Sequence, residues 1–331
     1  MLHFVSVGGY GWTGSSACID ILKEFEGFGD LNGEFRIIKD PYGISDLEHS
    51  LVDSWDFVRH DIAIQDFLNY CEVLSRDTSL ISKVGKNFSN KLNIDLMLES
   101  ELYINKLTDM TYLGDTSVHR YNAPAYKNFY MKIRSMFGYS NTNLMHLSRP
   151  DKSKFINETK NYFNKIFSGY MISKKIDTLI LDQTIPPTNI SGAIRYFDDI
   201  KIIIIDRDPR DIYINLSRNK TLIGADLNKI DSADNYIKWH KALRNNKQNI
   251  IENKNILRLN FEDLVYDYNA SIDKIINFFS KDIIHSRKYS YFDPHSKRAR
   301  SNVGLWKKYK NKAVMDKIHK KLKSYCYDFD R

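Results

Sequence analysis

Short runs of apolar residues alternate with amphipathic stretches along much of the chain. The clearest run is Lys201-Ile202-Ile203-Ile204-Ile205, an unbroken β-branched series typical of a strand in the centre of a parallel sheet. The pattern predicts further strands at 2–7, 35–39, 178–181 and 256–259, and helices at 15–25, 189–198, 231–248 and 262–279. Strands that alternate with helices in this way predict an α/β fold, a doubly wound parallel sheet flanked by helices.

Residues 44–175 follow a different pattern, mostly helical, with many aromatic residues and polar breaks. We interpret residues 1–331 as one α/β domain in which 44–175 form a helical insertion or cap. Within this insertion, residues 121–134 interleave aromatic side chains with Lys and Arg, which would suit stacking on sugar rings while binding acidic groups. The alternative is an amphipathic helix whose aromatic face lies in the core.

Composition adds a preference for anionic ligands. The chain has 49 Lys and Arg against 41 Asp and Glu, a formal net charge of +8. The basic residues are spread along the sequence and not gathered in one block, which argues against nucleic acid as a partner.

Cysteine usage and the N-terminus predict a cytoplasmic protein. Cys18, Cys71 and Cys326 lie far apart and form neither a metal-binding spacing nor a disulfide framework, as expected in a reducing compartment. We expect no signal peptide, because the first residues already follow a strand pattern, and no stable membrane insertion, because no apolar run could span a bilayer.

A glycine-rich turn separates the first strand from the first helix. Backbone N–H groups and the positive end of the helix dipole make such a junction an anion site, which suits phosphate or sulfate. Gly9, Gly11 and Gly14 match a dinucleotide fingerprint, for which Asp40 could hold the ribose.

The same turn also matches a P-loop in which Ser15 replaces the phosphate-binding lysine. Asp206 could then serve as a magnesium-binding aspartate, although the missing lysine counts against an NTPase. A third interpretation is a phosphate-like group held by Ser15 and Ser16, and a purely structural turn is the fourth. The turn by itself leaves these interpretations open.

The segment after the Ile run carries Arg207 and Arg210 at the C-terminal edge of a predicted central strand. Pro209 and Asp211 suit the start of a helix. Two arginines at that edge are better explained by a bound anion than by surface charge, because parallel sheets bind ligands there.

Residues 207–211 resemble the 3′-phosphate-binding motif of sulfotransferases that use 3′-phosphoadenosine-5′-phosphosulfate (PAPS), whose common form is Arg-Asp/Asn-Pro-Arg/Lys-Asp. Three further segments resemble the family in the expected order. Residues 11–16 are similar to its 5′-phosphosulfate loop, 257–265 to its Arg-Tyr-Glu-Asp-Leu-Val block, and 302–309 to the Gly-x-Trp-Lys loop that closes over the nucleotide. The resemblance implies a P-loop-like fold and PAPS as co-substrate.

The resemblance also implies a set of nucleotide-binding residues. They are Tyr10, Gly11, Trp12, Thr13, Gly14, Ser15, Ser16, Arg207, Asn215, Ser217, Arg300, Trp306 and Lys307. Trp12 departs from the family, which usually has Lys or Arg there to polarise the bridging oxygen of the donor. Asn215 stands where the family has a serine that binds the 3′-phosphate, with Ser217 two positions later; an Asn amide can still donate a hydrogen bond.

Sulfuryl transfer needs a base for the acceptor hydroxyl and donors for the sulfuryl oxygens, and we expect no metal. Residues 182–187 are similar to the Glu-Lys-Thr-Pro segment of glycan sulfotransferases, whose acid is the catalytic base. Asp182 falls on that acid, and Asp40 is the second candidate. This similarity implies a glycan or sugar acceptor.

Two other functions compete with the sulfotransferase. An NAD(P)-dependent oxidoreductase would use the glycine-rich turn but leaves Arg207, Arg210 and residues 306–307 unexplained. A non-catalytic nucleotide-binding module could derive from a P-loop protein that lost its lysine.

Overall fold

The computed structural model describes residues 2–78, 84–116, 118, 121, 124–139, 142–228, 232–244, 254–279 and 283–329. Residues 122 and 123 of the aromatic and basic segment, and residues 231 and 245–248 of one predicted helix, lie outside this part. The strands are β1 (His3–Gly9), β2 (Phe28–Glu34), β3 (Met110–Gly114), β4 (Asn143–Leu147), β5 (Thr178–Asp182), β6 (Ile200–Asp206) and β7 (Ile256–Asn260).

Fourteen α-helices are found in the described residues. The first seven are α1 (Ser15–Leu22), α2 (Ile44–Glu48), α3 (Arg59–Ser75), α4 (Phe88–Leu92), α5 (Leu96–Leu107), α6 (Ala125–Met136) and α7 (Lys152–Lys174). The others are α8 (Ile190–Ile194), α9 (Pro209–Asn219), α10 (Ser232–Arg244), α11 (Phe261–Tyr266), α12 (Tyr268–Phe279), α13 (Lys297–Ser301) and α14 (Lys312–Lys321). A π-helical turn follows α2 at His49–Asp53, and 3₁₀ turns lie at Asp226–Asn228, Leu305–Lys308 and Lys323–Tyr325.

The chain divides into two compact units. The first comprises Met1–Arg36, Lys174–Ile194 and Asp199–Arg331, and the second comprises Ile37–Ser173 and Arg195–Asp198. The interpretation of the whole chain as one domain with an insertion stays a prediction.

A five-stranded sheet with the order β2-β5-β1-β6-β7 forms the centre of the first unit. All neighbours are parallel; Val7 of β1 lies between Asp182 of β5 and Ile203 of β6. The glycine-rich turn therefore leaves the central strand. The predicted α/β fold, a P-loop-like doubly wound parallel sheet, is confirmed.

Alternate residues of the strands fill one side of the sheet with apolar side chains. Val5, Val7, Ile180, Ile203 and Ile205 belong to one buried cluster with residues of α1, α11 and α12. Each such side chain contributes about 1.5–3 kcal/mol when removed from water. This packing fixes α1 beneath the turn that precedes it.

The strand predicted at 35–39 is wrong. The sheet uses residues 28–34 instead, and Ile37 and Ile38 are fully buried in a turn. Their carbonyls accept hydrogen bonds from Ile44 N at 2.8 Å and Ser45 N at 3.2 Å, at the start of α2. The apolar run thus marks burial, but its backbone groups pair with a helix N-terminus and not with a strand.

The second unit is mostly helical, as the pattern predicts, and also contains a two-stranded antiparallel sheet of β3 and β4 that the sequence did not reveal. Its core holds stacked aromatic rings, among them Tyr103 and Tyr162 with centroids 4.8 Å apart. The predicted burial of the aromatic face of 121–134 is wrong: α6 buries none of its residues.

Smaller differences concern helix lengths. The helix predicted at 189–198 is only α8, and the one at 262–279 is broken at Asp267 into α11 and α12. The three cysteines are free thiols. No helix among the described residues is both long and apolar enough to cross a membrane.

Candidate active site

The turn between β1 and α1 adopts a left-handed backbone at three positions. Gly11 has φ 88°, Trp12 has φ 57° and Gly14, the N-cap of α1, has φ 92°. Ser15 and Ser16 open the helix. This conformation directs free backbone N–H groups at the N-terminus of α1, the arrangement that binds a phosphate or sulfate.

Close packing explains why glycine occupies the turn. A Cβ on Gly14 would lie 2.4 Å from Cδ2 of Phe261, the first residue of α11, and one on Gly9 would lie 1.9 Å from Oγ1 of Thr13. Both distances are far below van der Waals contact. Gly14 is therefore required by its protein neighbour Phe261, whatever ligand lies above it.

Arg207 connects three segments from the end of β6. Its Nη1 donates to Trp12 O at 3.1 Å, and its Nη2 donates to Asn302 O. The side-chain amide of Asn215, with its oxygen turned toward Arg207, accepts from the two terminal nitrogens at 2.8 and 3.1 Å. The guanidinium also lies 4.7 Å from the ring centroid of Phe261. Arg207 thereby ties the glycine-rich turn to α9 and to the C-terminal loop.

Arg207 is 5% exposed, and burial lowers its pKa, an effect that the carboxyls of Asp211, Glu262 and Asp208 oppose. Its Nε is buried and has no hydrogen-bond partner among the described residues. The buried indole N–H of Trp306 is likewise unpartnered in the described part of the chain. Two buried donors without acceptors suit a ligand that brings anionic oxygens.

Arg210 does not serve as the second anion-binding arginine that the sequence suggested. Its Nε and Nη2 donate to the two oxygens of Asp208 at 2.9 and 2.6 Å, and its guanidinium lies 3.7 Å from the ring centroid of Trp306. Asp208 also caps α9 by accepting from Arg210 N at 2.9 Å. A bidentate partner and a stacked ring thus hold this side chain within the protein.

Asp211 holds the C-terminal loop. Its carboxylate accepts from Gly304 N at 2.7 Å and from Trp306 N at 3.1 Å. Burial raises the pKa of Asp211 to about 6, although Arg207 and these two amides oppose the shift. The loop 304–306 is thereby fixed against α9.

The structure separates the three predicted residues of the C-terminal segment. Trp306 lies in the cluster against Arg210. Lys307 is exposed, with Nζ 4.4 Å from the ring centroid of Phe329, and the exposed Arg300 contacts His295 Nδ1 at 3.1 Å. No contact of Lys307 or Arg300 with the glycine-rich turn is found among the described residues.

The segment that begins with Arg258 completes the cluster. Glu262 Oε1 accepts from Asp208 N at 2.9 Å, and burial raises the pKa of Glu262 to about 8. Arg258 donates to Asp206 Oδ2 at 2.9 Å and to the hydroxyl of Tyr10 at 3.3 Å. All four segments singled out in the sequence therefore meet at the C-terminal edge of the sheet.

Asp182 ends β5, beside the central strand. It lies two residues after Ile180, hence on the face of the sheet that α1 covers. The next residue, Gln183, has φ 57°, and its Nε2 donates to Ser15 Oγ at 3.1 Å. This contact brings the end of β5 to the first turn of α1.

Asp40 belongs to the second unit and accepts a hydrogen bond from the hydroxyl of Tyr70 at 3.1 Å. The strand end that was to present Asp40 does not exist, because residues 37–40 form a turn and bend. Asp40 therefore does not lie at a strand end, where a base or a ribose ligand was expected.

Sequence reasoning missed two neighbours of the turn. Arg244, the last residue of α10, lies 4.1 Å from the ring centroid of Tyr10 and 3.7 Å from Asp206 Oδ1. Thr221 accepts from the indole of Trp12 at 2.6 Å. Neither residue lies in a motif, so no local signal could have identified them.

Trp12 therefore stands in a site with cations nearby, although the turn itself has none. Arg207 binds the carbonyl of Trp12, and Arg244 and Arg258 both lie against Tyr10. In the described residues no group of three or more His, Cys, Asp or Glu is arranged to hold a metal ion. The arrangement offers backbone amides, hydroxyls and buried cations around one anion site.

Comparison with known proteins adds the family. Residues 121–283 match the model of the Sulfotransferase family. The matched residues include Asp182, Arg207, Asn215 and Glu262, whereas the glycine-rich turn and Trp306 lie outside them. No curated protein matches the sequence.

Solved structures overlap the chain only loosely. The sulfotransferase domain of the Synechococcus PCC 7002 olefin synthase has 13% identity and a TM-score of 0.43, covering 99% of this chain and 95% of that one. The sulfotransferase domain from the curacin biosynthetic pathway has 12% identity and a TM-score of 0.44, with 99% of both chains covered. Retinol dehydratase, solved with androsterone and inactive cofactor PAP, has 13% identity and a TM-score of 0.37, covering 100% and 83%.

Because these TM-scores are low, the comparison with sulfotransferases depends on the family match alone. The match extends over β5, β6 and β7, the strands whose ends carry Asp182, Arg207 and Glu262. It favours neither an oxidoreductase nor a non-catalytic nucleotide-binding module. Residues 121–283, just under half of the chain, are thus similar to the sulfotransferase family.

Proposed function

We propose that this sulfotransferase moves the sulfuryl group of PAPS onto a hydroxyl of a sugar or glycan, with Asp182 as the base. The observation that carries the proposal is the cluster at the sheet edge. Arg207 joins the glycine-rich turn to α9 and to residue 302, and Asp211 joins α9 to residues 304–306. Segments that the sequence assigned separately to one nucleotide thus form a single site.

On the donor side, the amides of residues 10–16 would hold the 5′-phosphosulfate at the N-terminus of α1. Arg207, Asn215 and Ser217 would hold the 3′-phosphate, and the loop with Arg300, Trp306 and Lys307 would cover the nucleotide. The unpartnered Nε of Arg207 and the unpartnered indole N–H of Trp306 support this fit, since both are buried donors within the described cluster.

Arg207 is already bonded to two backbone carbonyls. A phosphate oxygen would therefore reach Nε directly or replace one of these acceptors. Replacement of a neutral carbonyl by a charged oxygen strengthens the hydrogen bond. If the phosphate replaces a carbonyl, nucleotide binding would remove one hydrogen bond between segments of the cluster and add a hydrogen bond to the phosphate.

The transfer itself is an in-line displacement. A new bond forms between the acceptor oxygen and sulfur, the bond between sulfur and the bridging phosphate oxygen breaks, and adenosine 3′,5′-bisphosphate leaves. The acceptor proton passes to the carboxylate of Asp182. The contact between Gln183 and Ser15 supports Asp182 in this role, because it brings the end of β5 to the anion turn.

The proposed acceptor is a carbohydrate. Residues 182–187 are similar to the base segment of glycan sulfotransferases, which supports a carbohydrate. The helical residues 44–175 would supply the acceptor side. A cytoplasmic location stays a prediction.

The test replaces Asp182 by Asn, which keeps the shape and removes the proton acceptor. Turnover with labelled PAPS and a panel of sugars, phenols and aliphatic alcohols should fall about 10²–10⁴-fold. Calorimetric affinity for adenosine 3′,5′-bisphosphate should stay near that of the wild type, because the nucleotide contacts are untouched.

Asp199→Asn is the matched control. Asp199 precedes β6 at the opposite edge of the same sheet, where it pairs with His3, so this variant should keep full turnover. If Asp182→Asn retains most of its turnover while Asp40→Asn does not, the base is Asp40. Turnover with phenols alone would reject the carbohydrate acceptor.

A further inference from the structure

Exposed apolar side chains concentrate in one segment of the second unit, residues 110–147, which we call the arm. The arm runs along β3, through α6 and back along β4, with Gly114 paired to Asn143 at the end of the strand pair. It carries 11 of the 24 large apolar side chains that are exposed in the described part of the chain. They are Met110, Tyr112, Leu113, Tyr121, Tyr126, Phe129, Tyr130, Met136, Phe137, Tyr139 and Leu144.

Helix α6 is the most exposed part of the arm. It has 12 residues and buries none of them. Tyr126 is 76% exposed, Phe129 65% and Tyr130 59%. A helix of this length is marginally stable in water without a packed face. Its exposed apolar residues therefore indicate that another surface packs against them.

The residues of α6 are segregated around the helix. With about 100° per residue, Tyr126, Phe129, Tyr130, Ile133 and Met136 fall within a stripe about 120° wide. Arg134 and Lys127 follow on one border of this stripe and Lys132 on the other, and Met131, Ser135 and Asn128 lie opposite. The order around the helix is therefore apolar, basic, mainly polar, basic.

The charge of the helix has one sign. Lys127, Lys132 and Arg134 are its charged residues, and the helix contains no Asp or Glu. Over the whole arm, Asp115 is the one acidic residue in the sequence. The surface that covers the stripe should therefore carry negative charge.

This arrangement distinguishes between two anionic partners. A polysaccharide would need aromatic rings and cations interleaved on one face, because its rings and its acidic groups lie on the same strand. A membrane interface needs an apolar stripe with cations on its borders, so that the rings enter the acyl boundary while Lys and Arg reach the headgroups. The borders of α6 carry the cations, and its rings are mainly Tyr and Phe, which suit the interfacial depth.

We propose that the arm docks on an anionic lipid surface, with Tyr126, Phe129 and Tyr130 of α6 inserted at the headgroup boundary and Lys127, Lys132 and Arg134 on the phosphates. The binding is peripheral and reversible, since a short amphipathic helix lies in the interface and does not span it. This function is independent of the proposed sulfuryl transfer.

The experiment measures co-sedimentation of the full chain with vesicles of phosphatidylcholine alone and of phosphatidylcholine mixed with phosphatidylserine. The wild type should bind the mixed vesicles at least about 10-fold more strongly, and salt should weaken this binding. The triple variant Tyr126→Ser, Phe129→Ser, Tyr130→Ser should lose about 10-fold or more of the affinity for mixed vesicles.

The matched control is Leu98→Ser, Leu102→Ser on α5. These side chains are 51% and 45% exposed but lie outside the arm, next to Glu99 and Glu101, so the control should bind vesicles like the wild type. Circular dichroism of each variant shows that the fold is kept. The variant Phe129→Trp adds a fifth tryptophan, and its quenching by brominated lipid should exceed that of the wild type, whose four tryptophans lie outside the arm.

Three results would overturn the proposal. The first is equal binding of the triple variant and the wild type. The second is preference of the arm for a soluble sulfated polysaccharide over mixed vesicles at the same salt. The third is a lipid-independent dimer, seen by sedimentation, that the triple variant abolishes while vesicle binding is absent.

Discussion

The sheet edge buries charged side chains, whereas the arm exposes apolar ones. At the edge, Arg207, Asp208, Arg210 and Asp211 are buried, and they are bonded to one another or to backbone groups. In the arm, α6 leaves aromatic rings in water and buries nothing. A charged group is buried only where its partners offset the loss of hydration, whereas a large contiguous patch of exposed apolar side chains marks a surface that another molecule covers.

This contrast separates two kinds of functional region. At the edge, hydrogen bonds within the chain hold the charged side chains, and a nucleotide would join them. In the arm, α6 buries none of its residues, so substitutions on this helix should cost little stability. Three paired substitutions test whether this difference is real.

The largest difference in stability is expected between two variants in which Met replaces a cation, one at the sheet edge and one in the arm. Arg207→Met leaves Trp12 O and Asn302 O without their donor and the nearby carboxyls without a counter-charge, which should destabilise the chain by about 3–5 kcal/mol. Lys132→Met on exposed α6 should change stability by less than about 0.5 kcal/mol. Urea unfolding measures both.

The same Arg207 variant tests the nucleotide contact. Adenosine 3′,5′-bisphosphate should raise the Tm of the wild type and of Lys132→Met, because a ligand that binds the folded state stabilises it. It should leave the Tm of Arg207→Met unchanged. An equal rise in all three proteins would remove Arg207 from the 3′-phosphate site.

The second effect compares two glycines with left-handed backbones. Gly14→Ala and Gly138→Ala share the cost of a side chain at positive φ, since the two φ values are 92° and 76°. Only Gly14→Ala brings Cβ against Phe261, at 2.4 Å; Gly138 has nothing within 4 Å. Thermal unfolding should show Gly14→Ala less stable than Gly138→Ala by about 1–3 kcal/mol.

A larger residue at Gly14 would meet both the anion above the turn and Phe261 below it. A difference near zero between the two alanine variants would mean that Phe261 moves aside without cost. The glycine would then serve the anion and not the packing of α11.

The third comparison concerns how the free energy of unfolding changes with pH. Burial raises the pKa of Glu262 from its ordinary value of 4.5 to about 8, so the folded state holds a proton that the unfolded state releases. This stabilisation is complete below pH 4.5 and is lost as pH rises to 8, at up to about 1.4 kcal/mol per pH unit for one proton. Glu262→Gln, which mimics the protonated form, should flatten the fall.

The measurement is the free energy of unfolding of both proteins between pH 6 and 9. Asp211, whose pKa is about 6, adds to the slope mainly below this window. Gln keeps the oxygen that accepts from Asp208 N, so the fold should persist. Parallel curves for the two proteins would show that Glu262 is ionised in the folded state.

Several elements could be predicted from the sequence because their signals are local. The Ile run marks β6 as an interior strand of the sheet and the glycines mark the turn after β1, through burial and backbone freedom. The strand at 35–39 failed for a related reason: a short apolar run reports burial, and burial does not say whether Ile37 and Ile38 pair with a strand or with a helix N-terminus. The predicted bounds of the helices at 189–198 and 262–279 were also wrong.

The candidate site likewise contains residues that the sequence identified and contacts that it did not reveal. Motif residues such as Arg207 and Trp306 were found because their order along the chain matches a family. The pairing of Arg210 with Asp208, the contact of Arg244 with Tyr10 and the exposure of α6 had no such signal. Each depends on which residues, distant or near in sequence, face one another after folding.

The sequence by itself determined the alternation of strands and helices, the glycine-rich turn after β1 and the identity of the residues at the strand ends. These follow from side-chain period and backbone sterics, which act over a few residues. Only the tertiary structure decided which charges are paired, which carboxyl keeps its proton and which aromatic face is left in water. Those outcomes depend on burial and on partners up to hundreds of residues away, because the energy of a charge or a ring is set by the surroundings that the whole fold provides.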